Sequence, residues 1–205
     1  MRHAVRWIEA LVLGVAVLIS GCATLGGPAQ SEAPADWQAR QQALGAIASF
    51  GLEGRVSARG PVSGSANLLW NQDGSDYSLR LSGPFGAGAV LIEGTPQQAT
   101  IRNKDQTLVT RDPEATLRSQ LGWTLPVDKL RWWILGLPAP NAPAQTQFDT
   151  QARLHNLTQA GWTVSYEEYR AAPVLAPVFD LPRRLGLTQG ELTVRVLVDQ
   201  WEPGP

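Results

Sequence analysis

The feature that most constrains the fold is an alternation of apolar and polar residues that recurs along the chain between short turn-forming segments. The clearest case is the run YSLRLS at residues 77–82, in which every second residue is large and apolar. Successive side chains of a β-strand point to opposite faces, so this period of two predicts a strand with one buried face. Short and evenly spaced strands of this kind indicate an antiparallel meander.

The same reasoning predicts strands over most of the chain. None of them alternates with helices as parallel βαβ units do. The predicted strands, eleven in number, cover about residues 51–59, 65–70, 77–82, 88–94, 98–103, 106–111, 145–149, 151–156, 160–169, 178–185 and 190–201. A set of this size either splits into a sandwich or curls into a barrel.

Three helices are predicted among the strands. Asp36 is a candidate cap for the first, and Asp112, followed by a proline, for the second. The third follows Pro126 and ends near Gly136, and its apolar residues recur at helical spacing. Because apolar stripes must be buried, we expect the helices to lie inside a curled sheet or across its mouth, leaving an apolar interior.

Trp132 and Trp133 are adjacent in the third predicted helix. Adjacent helical residues lie about 100° apart and cannot serve one surface equally. Trp133 is nearer the stripe that includes Leu130 and Ile134. We therefore expect Trp133 to be the buried one of the two.

Composition limits the class of protein. The chain has 205 residues, a length sufficient for one domain with a substantial core. Of these residues, 43% are hydrophobic and 17% are charged, as in a globular protein. Its formal net charge is -1, and no basic block or arginine stripe is visible. Nucleic acid is therefore not an expected partner.

The N-terminus has the pattern of a secretory signal. Two arginines precede an apolar run at 11–19, which is too short to span a bilayer but fits the apolar region of a signal peptide. The run ends in LISGC, where Cys22 is the only cysteine of the chain. This segment resembles the lipobox of bacterial lipoproteins, in which the cysteine is lipidated after cleavage. An ordinary signal peptide with an incidental thiol is the alternative.

These features divide the chain into three parts. Residues 1–21 are expected to be a lipoprotein signal peptide, and residues 22–35 a lipidated flexible tether rich in Gly, Pro and Ala. Residues 36–205 are expected to form a single β-barrel domain that binds lipoproteins. Ala23 stands where an aspartate would, in many Gram-negative bacteria, retain a lipoprotein in the inner membrane, so we expect the periplasmic side of the outer membrane.

Pro84, Phe85 and Gly86 interrupt two predicted strands with the residues of an exposed turn. A turn built on glycine and proline has no need of a large aromatic ring. The ring could fold back over the rim of the barrel, or it could enter a bilayer, where aromatic side chains are favoured at the interface.

Catalytic and metal-binding patterns are poorly represented. His155 is the only histidine after the signal peptide, and no cysteine accompanies it, so neither a Cys/His pair nor a histidine-rich zinc site is expected. The sequence also contains no Walker phosphate-binding motif. We expect no enzyme, no cofactor and no metal, and an exposed strand position for His155.

Several segments resemble the LolB family of outer-membrane lipoprotein receptors. They are LRWWILGLPAP at 130–140, LSGPFGAG at 81–88, WQARQQAL at 37–44, the lipobox and VLVDQW at 196–201, in the expected order. The resemblance covers essentially the whole chain. Family members have leucine in the loop where this chain has Phe85, an equally apolar residue.

The resemblance implies an unclosed antiparallel β-barrel whose helices form a lid over a hydrophobic cavity. It implies a monomeric receptor that takes lipoproteins from the periplasmic carrier LolA, holds their acyl chains and places them in the outer membrane through the loop. The expected cavity residues are Leu52, Val56, Leu68, Trp70, Leu79, Leu81, Val90, Ile92, Val194 and Val196 from the strands, with Trp133 and Ile134 from the lid.

Two alternatives stay open at this stage. Any one of these apolar residues could simply pack as core. The protein could also be a scaffold lipoprotein that binds protein or envelope glycan and has a filled interior.

Overall fold

The computed structural model describes residues 33–61, 63–86, 88–121 and 126–205. Within these ranges the chain forms three α-helices: α1 (Trp37–Gly45), α2 (Pro113–Leu121) and α3 (Val127–Ile134). A single 3₁₀ turn covers Pro84–Gly86. The described strands are β1 (Ser49–Arg59), β2 (Gly64–Asp73), β3 (Asp76–Ser82), β4 (Val90–Gly94), β5 (Ala99–Arg102), β6 (Thr107–Thr110), β7 (Ala144–Phe148), β8 (Leu154–Gln159), β9 (Trp162–Ala172), β10 (Ala176–Gln189) and β11 (Leu192–Pro203).

All eleven strands belong to one antiparallel sheet, in the order β6-β5-β4-β3-β2-β1-β11-β10-β9-β8-β7. The first and last strands pair at the centre, where Val56 lies opposite Val196. The edge strands β6 and β7 do not pair with each other, so the barrel is unclosed. The chain between them carries α2 and α3. The predicted fold class is confirmed.

The connections between strands lie on two opposite rims, because consecutive antiparallel strands turn at alternate ends. We call one the loop rim; it carries the connections at 60–63, 83–89, 103–106, 160–161 and 190–191. We call the other the α1 rim; it carries the connections at 74–75, 95–98, 149–153 and 173–175 and the start of β1. This arrangement decides which parts of the molecule can face one surface together.

Helix α1 is fixed on the α1 rim by aromatic and cationic contacts. The Trp37 and Phe148 ring centroids are 4.9 Å apart. The buried Arg40 guanidinium lies 5.5 Å from the Tyr169 ring centroid and 5.3 Å from that of Phe179, and it donates to the Asp180 carbonyl. Because polar and aromatic partners surround it, this charge is tolerated in the interior.

The expected cap of α1 is wrong. Asp36 makes no side-chain capping bond, and its backbone already has helical torsions of φ -78° and ψ -7°. A capping carboxylate needs an extended backbone at its own residue to reach the amides of the first turn. The Trp37 amide instead donates to the Pro34 carbonyl at 2.9 Å.

The other predicted helix signals are confirmed. The Asp112 carboxylate accepts a bond from the Ala115 amide at 2.9 Å and caps α2. At the end of α3, the amides of Gly136 and Leu137 donate to the carbonyls of Trp133 and Trp132, both at 3.0 Å. This pair of bonds is a Schellman motif, and it requires the positive φ of 78° that glycine adopts without strain.

Helix α3 lies against the inner face of the sheet. Trp133 has no exposed surface and belongs to the core, whereas Trp132 is only partly buried. The predicted orientation of these two residues is confirmed. His155 is exposed on β8, also as predicted. Within the described ranges, no helix is both long and apolar enough to cross a membrane.

An apolar cleft beneath the third helix

The inner face of five neighbouring strands forms a cleft with a wholly apolar lining. Side chains from β1, β2, β3, β4 and β11 point toward one another there because they occupy alternate positions of paired strands. Helix α3 adds Leu130 from above. The lining residues are Val56, Leu68, Leu79, Leu81, Ile92, Leu130, Val194 and Val196.

The cleft is nearly full in this conformation. Its volume is about 30 Å³. Sites for small molecules usually measure about 300–1,000 Å³, whereas a single water needs about 10–15 Å³ measured in the same way. An acyl chain therefore has no room while Leu130 occupies the cleft.

A wider hollow lies beside the cleft, near the loop rim. It measures about 160 Å³ and shares Val56 and Leu81 with the cleft. Its remaining lining comes from Ala58 and from residues 63–66, at the end of the connection between β1 and β2 and the start of β2. Two residues of the cleft thus also border a hollow near the rim that carries the Pro84–Gly86 turn.

The predicted cavity residues divide into three groups. Seven of them line the cleft, and Leu130 completes it although the sequence analysis did not include it. Leu52, Trp70, Trp133 and Ile134 are fully buried core residues outside the lining. Val90 is partly buried and lies opposite Leu81 in the sheet. The signal for Leu130 was its place in the apolar stripe of the third helix.

Gln159 of β8 holds the C-terminal end of α3 in place. Its Oε1 accepts bonds from Trp133 Nε1 at 2.9 Å and from the Ala139 amide at 2.8 Å. Its Nε2 donates to the carbonyls of Ala139 at 2.8 Å and Ala142 at 3.1 Å. The Tyr166 hydroxyl adds a bond to the Trp133 carbonyl at 3.2 Å. A buried amide with four partners makes this end of the helix rigid.

Gln159 was missed by the sequence analysis, although a signal for it existed. It is a polar residue at an inward position of a strand whose other inward residues include Leu157. An inward polar side chain must find partners in the fold.

A second cavity of about 430 Å³ lies near the α1 rim, between α2, α3 and the connections at 74–75 and 95–98. Unlike the cleft, it is lined by a mixture of apolar, polar and charged side chains, which include Tyr77, Arg111, Glu114, Asp128 and Arg131. Burial, a hydrogen bond to Asp128 and the Asp128 charge raise the pKa of Glu114. Burial also lowers the pKa of Arg131, whose guanidinium carbon lies 4.9 Å from the centroid of the Trp132 ring. An acyl chain placed there would also remove these charged groups from water, which costs free energy.

The turn expected to insert into a membrane lies between β3 and β4. The Gly86 amide donates to the Gly83 carbonyl at 3.0 Å, which closes the turn, and Gly86 has a φ of 80°. Pro84 and Gly86 are exposed on the loop rim. Phe85 lies between them in the 3₁₀ turn. Cys22, the expected lipidation site, lies outside the described residues.

No group of three or more His, Cys, Asp or Glu side chains that could hold a metal ion occurs in the part of the chain that the structure describes.

Fold and cleft together define a class of protein: half-open antiparallel barrels with a helix packed over an apolar interior. The crystal structure of a LolA superfamily protein from Nitrosomonas europaea has this fold, with a TM-score of 0.52. The match covers 82% of this chain and 93% of that one at 9% sequence identity.

Sequence comparison identifies the family. A family model described as Outer membrane lipoprotein LolB matches residues 48–201. The outer-membrane lipoprotein LolB of Chromohalobacter salexigens is 37% identical over 94% of this chain and 89% of its own length. The outer-membrane lipoprotein LolB of Pseudomonas fluorescens is 36% identical over 99% of this chain and 97% of its own length. The chain belongs to the LolB family of outer-membrane lipoproteins, and the predicted family and location are confirmed.

Proposed function

We propose that this protein takes lipoproteins from a soluble carrier of the LolA type and places them in the outer membrane, acting as a monomer. The apolar cleft would hold acyl chains, and the loop rim would pass them to the bilayer. The observation that carries this proposal is that the apolar cleft and the hollow near the loop rim are neighbours that share Val56 and Leu81. Its family membership supports the same role.

Energetics require a covered route for the cargo. Each buried CH₂ group of an acyl chain is worth about 0.8 kcal/mol, so a lipidated protein cannot cross an aqueous compartment unprotected. The sequence has no Walker motif through which a nucleotide could drive transfer. Transfer would therefore run downhill, from the carrier to this cleft and then to the bilayer.

Cargo entry would require α3 to move. Leu130 fills the cleft from the middle of the helix, whereas Gln159 and Tyr166 hold its C-terminal end. A pivot about that end would withdraw Leu130 without breaking the Gln159 bonds. Helix α3 would then act as a lid hinged near Gly136.

Shortening the side chain of Leu130 tests whether the cleft takes acyl chains. Leu130→Ala should enlarge the cleft and increase saturable binding of a fluorescent fatty-acyl probe, because the lid then obstructs less of the interior. Val196→Phe, which fills the cleft from β11, should reduce it. Leu197→Phe, on the outward face of the same strand, is the matched control and should bind like the parent.

A scaffold with a filled interior makes the opposite prediction. It would bind no probe saturably, with or without Leu130→Ala, and that result would overturn the cleft proposal. Circular dichroism of each variant confirms that loss of binding is not loss of folding.

Phe85 tests the delivery step separately from acceptance. Phe85 belongs to the turn and not to a strand that lines the cleft, so Phe85→Glu should still accept lipoprotein from a purified LolA–lipoprotein complex. It should fail to release cargo into liposomes, since a carboxylate resists entry into the bilayer. Phe85→Leu restores an apolar side chain and should restore delivery.

Two outcomes would contradict the insertion role of the loop. One is normal delivery by Phe85→Glu. The other is joint loss of acceptance and delivery, which would point to a damaged fold or carrier interface. Transfer of labelled cargo, followed by flotation of the liposomes, separates these cases.

A further inference from the structure

Three exposed cationic side chains surround the Pro84–Gly86 turn on the loop rim: Arg59, Lys104 and Arg195. Arg59 is the last residue of β1, and Lys104 lies in the connection between β5 and β6. Arg195 lies opposite Ser57, two residues from the end of β1. None of the three side chains makes an ion pair or a hydrogen bond with another of the described residues. Their charges are therefore available to an external partner.

The strand order places these charges on both sides of the turn. The turn connects β3 to β4, Lys104 lies beyond β4, and Arg59 and Arg195 lie beyond β2. With strands about 4.7–4.9 Å apart, Lys104 and Arg59 lie two to three strand spacings from the turn, about 10–15 Å, and Arg195 lies three to four, about 15–20 Å. These distances exceed the Debye length of about 8–10 Å at physiological salt, so each charge attracts an anionic surface that the rim faces independently of the others.

Few acidic groups on this rim oppose the cations. Asp105 follows Lys104, and Glu191 lies in the connection between β10 and β11. A fourth cation, Arg102, lies 3.7 Å from the Glu93 carboxylate and is partly neutralised by it. The surroundings of the turn therefore carry a net positive charge.

Arg195 also borders a hollow of suitable chemistry. This hollow lies on the outer face of the sheet and measures about 400 Å³. Its lining includes Arg195, Ser57 and Ser65. Arg55 and Arg184 line the same hollow, but Arg55 already pairs with Asp199 and Arg184 with Glu168. A guanidinium beside two hydroxyl groups can bind a phosphate oxygen at several points.

We propose that the loop rim is a docking surface for the headgroups of anionic phospholipids, with Arg59, Lys104 and Arg195 supplying the attraction. This inference rests on the proposed delivery of cargo at the same rim. The charges hold the rim against the bilayer surface, and the apolar turn enters between the headgroups. Charge attraction then sets how long the rim stays docked, and the turn provides the path for the acyl chains.

Energy transfer in vesicles measures this docking with the full-length lipidated protein. A donor dye on Ser63→Cys reports the loop rim, a dye on Ser75→Cys reports the α1 rim, and acceptor dyes label the lipid headgroups. The vesicles contain either phosphatidylcholine alone or a mixture with phosphatidylglycerol. We expect the Ser63 label to lie nearer the bilayer, and to move closer when the anionic lipid is present and salt is low.

The variant Arg59→Gln/Lys104→Gln removes one charge from each side of the turn. A charge near an anionic membrane contributes about a fivefold change in binding, so the ratio of docked to undocked molecules should fall about 25-fold on mixed vesicles. It should not change on phosphatidylcholine. The matched control, Arg111→Gln/Arg170→Gln, removes the same charge away from the loop rim and should dock like the parent.

The remaining outcomes separate this inference from the proposed function. Two outcomes on mixed vesicles would overturn the role of the loop-rim charges. In one, Arg59→Gln/Lys104→Gln docks as well as its control. In the other, the control loses as much docking as this variant. Phe85→Glu should lose docking on both kinds of vesicle, and normal docking by it would overturn the loop proposal instead. A Ser75 label nearer the bilayer than the Ser63 label would overturn both.

Discussion

Trp132 and Trp133 are neighbours in sequence with different surroundings. Trp133 is fully buried and donates to Gln159, whereas Trp132 is partly exposed beside Arg131. Trp133→Ala should therefore lower the free energy of unfolding by about 3–5 kcal/mol, and Trp132→Ala by clearly less. Urea unfolding followed by circular dichroism measures both. An equal or reversed ranking would contradict the assigned inner face of α3.

Gln159 should contribute more to stability than its size suggests. Gln159→Met keeps nearly the same shape but leaves the Trp133 indole and the Ala139 backbone groups without partners. Each unsatisfied buried group costs about 1–3 kcal/mol, so the free energy of unfolding should fall by at least about 3 kcal/mol. Gln145→Met, at an exposed position of β7, is the control. A loss below about 1 kcal/mol would show that other groups or water replace these bonds.

Individual residues were predictable where their role depends on local sequence. Asp112 and Gly136 act within one helical turn, so capping rules identified both. Gln159 acts on residues 17 to 26 positions away, and no local pattern fixes which partners it meets. The predicted cap at Asp36 was wrong because the backbone of this residue has helical torsions, and a capping side chain needs an extended backbone.

At the scale of elements, the period of two identified all eleven strands because each strand has one inward face. Boundaries were less certain. Strand β8 was predicted at 151–156 but begins at Leu154, because the Asp149 carboxylate accepts bonds from the amides of Gln151 and Arg153 and closes a turn there. A carboxylate that folds back on its own backbone competes with strand pairing.

The volume of the cleft was not predictable in the same way. Alternation shows which side chains point inward but not how closely they meet. The small volume depends on the depth to which Leu130 enters, which is set by the contacts that fix α3. The identity of the open edge, between β6 and β7, likewise depends on pairing across the whole sheet.

Helices α2 and α3 bring two carboxyl groups together, Glu114 and Asp128. Burial and the neighbouring Asp128 raise the pKa of Glu114 above 4.5, while Lys129 opposes the shift. The folded protein therefore holds this proton more tightly than the unfolded chain. Its stabilising effect is complete below pH 4.5 and is lost as the pH rises through the raised pKa.

Glu114→Gln should remove this part of the pH dependence, because an amide is uncharged at every pH in the range and can still donate to Asp128. The urea midpoint at neutral pH should rise, and its decrease between pH 4.5 and neutrality should become smaller. Glu191→Gln, on an exposed connection far from α2, is the control. An unchanged profile in Glu114→Gln would show that this pair does not govern the contact between the two helices.

At the scale of the whole molecule, the antiparallel order places two sets of features on opposite rims. The Pro84–Gly86 turn, the hollow beside the cleft and the three free cations share the loop rim. Helix α1, from which the tether continues toward the N-terminus, lies on the other rim. Sequence order alone determines this division once the sheet is known to be a meander.

The anchor is a prediction about the intact protein. If Cys22 is lipidated, mass spectrometry of protein extracted from membranes should find the mature N-terminus at Cys22 with added acyl mass. Cys22→Ala should lose stable attachment to the outer membrane, since no acyl chain then holds the domain there. An unmodified thiol on a chain that begins upstream would contradict this prediction.

The length of the tether should then control delivery to the membrane that holds the anchor. Strand β1 has 11 residues and spans about 37 Å between the rims. Residues 22–35 extend to at most about 46–50 Å, which allows the anchor and the loop rim to reach one bilayer. Deleting residues 25–32 leaves about 20 Å, so the protein should stay anchored and accept cargo but deliver it poorly into its own membrane. Replacing the same residues with glycine and serine keeps the length and should keep delivery. Normal delivery by the deletion variant, measured in proteoliposomes, would show that the loop rim need not reach the anchoring bilayer.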